Sequence, residues 1–77
     1  MNPVKLSREE IKKLVFGIAS LDQDQRALVG DVLARLAHSA DGKISPEELR
    51  RELSRLRAAF KISEIDAKTV FAAVFGA

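Results

Sequence analysis

The sequence predicts an all-α domain of four short helices, and three observations carry that prediction. Ser7, Asp22 and Ser45 each stand three residues before a Glu or Gln, the spacing of a helix-starting capping box. Apolar residues after each cap recur at three and four positions, the period of one helix face. An Asp41-Gly42 turn then divides the chain into two helical halves. Hydrophobic residues at 47% and charged residues at 31% suit one folded domain over residues 1–77, not a disordered chain. There is no cysteine, so neither disulfides nor a thiolate zinc site can supplement a core of marginal size.

Taken in order, residues 1–6 form a short lead-in, extended near Pro3. Ser7 caps helix one, with Glu10 completing the box and Leu6 and Ile11 forming a staple. The helix is expected over residues 7–20, with Ile11, Leu14, Val15, Ile18 and Leu21 on its inner stripe. Phe16 falls off that stripe and is left for a neighbouring helix or an oligomer surface. Asp22 caps helix two with Gln25, and Leu28, Val29, Val32, Leu33 and Leu36 give it a face broad enough for two neighbours. Gly30 within it suggests a close approach of another element. His38 closes this helix, where the dipole favours a cation, and a lone histidine makes a poor transition-metal site. Helix three is expected over residues 46–60, with Leu49, Leu53, Leu56 and Phe60 as a narrow seam. Helix four follows Ser63 and runs to about Phe75. Ala67, Val70, Phe71, Val74 and Phe75 leave it little polar surface, so it is either inserted between other helices or covered by another chain.

The joint between the halves, Ala40-Asp41-Gly42-Lys43-Ile44-Ser45-Pro46-Glu47-Glu48-Leu49, concentrates local signals. Glycine accepts positive φ, Ser45 caps, Pro46 suits the first helical position, Glu48 completes the box, and Ile44 and Leu49 are spaced as a staple. The same stretch resembles the second half of an EF-hand loop. With Gly42 as the turn glycine, Ala37 opens the loop, Ser39 falls third, Asp41 fifth, Ser45 ninth and Glu48 twelfth, where a bidentate carboxylate belongs. Ala37 lacks the leading carboxylate. Any Ca²⁺ held by Ser39, Asp41, Ser45 and Glu48 is therefore expected to bind only at about millimolar concentration. Ala-Asp-Gly-x-Ile-Ser-x-x-Glu also resembles the interhelical motif of TerB-like tellurite-resistance domains. That resemblance implies a helical fold associated with stress response or metal sensing, although those domains are longer than this chain.

Arg50, Arg51, Arg55, Arg57 and Lys61 form a basic face opposite the seam of helix three. It reads either as a solvated surface with local ion pairs or as a dock for an anionic partner. Residues 56–64 resemble the turn of a helix-turn-helix. However, Lys61 stands where glycine is usual, Glu64 and Asp66 would face phosphates, and the net charge is only +2. With no Tyr or Trp to stack bases, nucleic acid is the disfavoured partner. No nucleophile–base pair, metal cluster or phosphate loop is legible, so an enzyme is not expected. No segment resembles a membrane span or signal peptide, which together with the missing thiols fits a cytoplasmic protein. The function these features imply is protein–protein interaction, including homo-oligomerisation through Val70, Phe71, Val74 and Phe75. A Ca²⁺-responsive module and a small DNA-binding regulator are the alternatives.

Overall fold

The computed structural model describes residues 2–39 and 42–76. Four helices, α1 (Arg8–Phe16), α2 (Gln23–Ala37), α3 (Pro46–Ala58) and α4 (Glu64–Phe75), pack around one core. Val29, Leu33, Ile44, Leu49 and Val70 are its fully enclosed side chains. The all-helical, four-helix expectation therefore holds; among the described residues the only β-type pairing is a single antiparallel bridge between Val4 and Ile44. No helix of the described residues is long and apolar enough to cross a membrane.

Each helix begins where an exposed amide can be satisfied locally. Ser7 Oγ accepts from the Glu10 amide at 3.1 Å, and Glu10 Oε1 accepts from the Ser7 amide at 2.9 Å. Asp22 and Gln25 exchange the same two bonds, and so do Ser63 and Asp66. At α3 only half the expected box forms. Ser45 Oγ accepts from the Glu48 amide at 3.1 Å, but its hydroxyl donates to Glu47 Oε2, so Glu47 takes the acidic place at the cap. Glu47's own amide and the Ser45 hydroxyl hold its carboxyl below the ordinary carboxylate value.

Two helix ends depart from expectation. Helix α1 stops at Phe16 instead of running to Ser20, because Gly17 is a poor helix former and the chain turns there. Ile18 and Leu21 still reach the core, but from that turn. Helix α3 ends at Ala58, and the Lys61 amide reaches back to the Leu56 carbonyl at 2.9 Å while the Phe60 amide donates to Arg57 at 3.0 Å. This is a Schellman motif, whose turning residue adopts left-handed backbone and is usually glycine. Here it is Phe60, with φ of 60°. The turn lifts Phe60 off the seam and leaves it 94% exposed.

Long-range bonds set the ends of the bundle. The Ser20 hydroxyl donates to Asp66 Oδ1 at 2.8 Å, and Gln25 Nε2 donates to the Lys61 carbonyl at 3.0 Å. These bring the α1–α2 and α3–α4 turns to one end. At the other, the Ile44 amide donates to the Val4 carbonyl at 2.7 Å, and the Val4 amide to Ile44 at 3.0 Å. The lead-in is thus pinned beside the central joint. Burial raises the proton affinity of Asp66, which is 7% exposed, but bonds from the Ser20 hydroxyl and the Ser63 amide, with a contribution from the Ser63 hydroxyl, outweigh it. The carboxyl is held below its ordinary value.

Candidate functional site: the groove between α1 and α2

Sequence reasoning marked three groups of residues, and the structure treats each differently. Of the proposed metal ligands, Asp41 lies outside the described residues. Ser39 Oγ donates to the Lys43 carbonyl at 3.1 Å, and Ser45 is occupied by the α3 cap. Glu48 is joined to Ser45 through that cap, by its amide. Gly42 does adopt the left-handed turn expected of it, with φ of 69°. Among the described residues, no three His, Cys, Asp or Glu side chains stand close enough to hold a metal ion.

The proposed α4 surface is split. Val70 is fully buried and Val74 only 9% exposed, so both belong to this chain's own core and not to a free face. A domain of this size has few apolar side chains to enclose its centre, and α4 supplies these two. Phe71 and Phe75 are half-buried, with ring centroids 4.9 Å apart. The five cations of the basic face are all exposed. Arg55 is drawn to Glu52 at 3.4 Å, which also receives Arg35 at 2.9 Å. Arg50 lies over the Phe71 ring, 4.9 Å from its centroid. With Arg57 and Lys68 it edges a shallow α3–α4 groove of about 310 Å³.

The larger concavity was not marked in the sequence. Between α1 and α2 runs a groove of about 890 Å³, floored by Ile11, Val15, Ala27 and Ala34. Arg8, Lys12, Arg26 and His38 edge it, against one carboxylate, Asp31. Gly30 opens onto it. A Cβ built there meets nothing within 4 Å, so the glycine expected to admit a neighbouring element instead leaves a notch in the wall. The signal available beforehand was Ala27, Gly30, Ala34 and Ala37, small residues at helical spacing along one side of α2.

Arg26 is the unusual member of this wall. Its guanidinium lies over Phe16, 5.6 Å from the ring centroid, while its Nε is sealed from solvent without a hydrogen-bond partner. An apolar floor bordered by cations matches a chain that presents hydrophobic side chains along one line and acidic ones beside them. Comparison with protein-family models, curated proteins and solved structures finds no match for this chain.

Proposed function

We propose that this domain is a protein–protein interaction module whose α1–α2 groove receives an acidic amphipathic helix of a partner. The groove's lining carries the reading: an apolar floor of Ile11, Val15, Ala27 and Ala34 is bordered by Arg8, Lys12, Arg26 and His38 against the single carboxylate of Asp31. Helix-in-groove recognition supplies apolar contact for affinity, and the cationic rim selects the partner's charge. Binding of a labelled Leu-Glu amphipathic helical peptide, followed by fluorescence anisotropy across a salt series, tests it. Wild type should bind and weaken as salt rises. Gly30→Leu should fill the notch and abolish binding, and Arg26→Glu should weaken it at least tenfold, both with the helical circular dichroism retained. Equal binding by wild type and Gly30→Leu overturns the proposal. Salt-sensitive duplex binding that falls when Arg50, Arg51, Arg55 and Arg57 become Gln together would favour the DNA-binding regulator instead.

A divalent-cation response at the central joint is the second reading, and the left-handed Gly42 beneath an EF-hand-like or TerB-like motif is what favours it. Calorimetry with Ca²⁺ should give an affinity near millimolar. Micromolar binding that disappears in Glu48→Gln would make the cation response the primary function.

A further inference from the structure

We propose that the α3–α4 groove is a binding site for a small phosphate monoester carried on an apolar body. Every charged side chain that lines it is positive: Arg50 and Arg57 from α3 and Lys68 from α4, with no carboxylate among them. None of the three forms an ion pair among the described residues, whereas Arg35 and Arg55 are both drawn to Glu52. Cations gathered at one concavity without an acid raise the local concentration of anions. Arg50, Ser54 and Arg57 are spaced by four and three residues, so they share one face of α3, with the Ser54 hydroxyl between the two arginines.

Two further features separate this site from a charged surface. Arg50 lies over the Phe71 ring, 4.9 Å from its centroid. A guanidinium held over a ring still donates at its edge, and it has given up part of its rotamer freedom before a ligand arrives. Leu53, only 3% exposed, floors the groove, and Ala67 and Ala72 wall it with single methyl groups. Their smallness leaves the volume of about 310 Å³, near the lower end for small-molecule sites. Charge and size then choose the ligand. A phosphate monoester carries about −1.5 to −2 charges and three acceptor oxygens, which suits three cations and a hydroxyl better than a carboxylate does. A nucleic acid is disfavoured by Glu47 in the first turn of α3 and Glu64 in the first turn of α4, the latter lining the adjoining hollow with Arg57. Phosphates in series would run onto those acids; a single one stays among the cations.

No residue of this groove lines the one between α1 and α2, so the two proposals fail independently. Titration with phenyl phosphate at constant ionic strength, followed by amide NMR shifts, tests the site, with inorganic phosphate and phenol as the separated halves of the probe. Wild type should bind phenyl phosphate with a Kd near millimolar, as befits a ligand this small, and bind either half more weakly. Shifts should centre on residues 50–57 and 67–72. Arg50→Gln, Arg57→Gln and Lys68→Gln, all at exposed positions, should each weaken binding about tenfold, the loss of one charge-assisted hydrogen bond. Arg51→Gln and Arg55→Gln remove the same charge from the same helix outside the groove and should leave binding within about twofold of wild type. Ala72→Leu should block the groove while the helical circular dichroism is retained. Absence of shifts at tens of millimolar phenyl phosphate overturns the proposal. So does equal binding of inorganic phosphate, or equal weakening by all five charge substitutions, which would mark diffuse attraction to the basic face. A phosphotyrosine peptide that binds more tightly than phenyl phosphate overturns the small-molecule reading in favour of a phosphorylated protein.

Discussion

Replacing Phe60 with glycine should make the monomer more stable, contrary to the usual outcome of removing a large hydrophobic residue. The ring is 94% exposed, so its loss gives up almost no burial. The backbone stands at φ 60° within a Schellman motif, where a residue with a Cβ costs about 1–2 kcal/mol. Glycine returns about 0.5–1 kcal/mol of that through the greater freedom of the unfolded chain. The expected net gain is about 0.5–1 kcal/mol. At ~4–8 °C per kcal/mol for a domain of this size, Tm should rise by roughly 2–8 °C. Urea and thermal denaturation, run dilute enough that any dimer is dissociated, measure this. Phe60→Ala is the necessary control: it removes the ring but keeps the Cβ, so it should fall below Phe60→Gly by about 1 kcal/mol. A glycine variant no more stable than the alanine variant would refute the left-handed assignment. A loss in both, relative to wild type, would show that the ring is packed in the monomer.

Three further outcomes follow from the same geometry. Gly30→Ala should raise stability by about 0.5–1 kcal/mol, because helix propensity improves and the added methyl meets open groove; denaturant midpoints report it. Ser45→Ala should lower stability by about 1 kcal/mol, since the Glu48 amide loses its acceptor; an unchanged urea midpoint would mean that Ser45 does not cap α3. Asp66 has a folded-state proton affinity below that of the unfolded chain, so its contribution is complete above the ordinary carboxylate value of 3.8 and is lost as pH falls through the folded value. Ser20→Ala removes one of the bonds responsible. It should cost about 1 kcal/mol at neutral pH and shrink the loss on acidification, as read from melts between neutral and strongly acid pH.

Helix starts were legible because their physics is local. An unpaired amide and its capping oxygen lie within three residues of each other, so Ser7, Asp22, Ser45 and Ser63 begin helices wherever the chain goes next. Periodicity likewise marked Leu33, Leu49 and Leu53 for the core, because a helix face is fixed by spacing alone. Whether an apolar face is covered by its own chain is a different matter. Val70 and Val74 read as a surface in isolation and became core because α1, α2 and α3 leave a side for α4 to close. The Phe60 turn and the early end of α1 at Phe16 were hidden for a related reason. Their helices have side chains that could continue the pattern, and the chain is turned instead by Gly17 and by the local bonds from the Phe60 and Lys61 amides, with Phe60 in the left-handed place usually held by glycine. The groove depends on how α1 packs against α2, and its notch on the empty space beside Gly30. Ser20 and Asp66 meet across 46 residues, and Val4 meets Ile44 across the whole first half of the chain. Sequence fixes which groups need partners; only the packed structure decides which distant residue becomes the partner, because that choice is made by the geometry of the whole core.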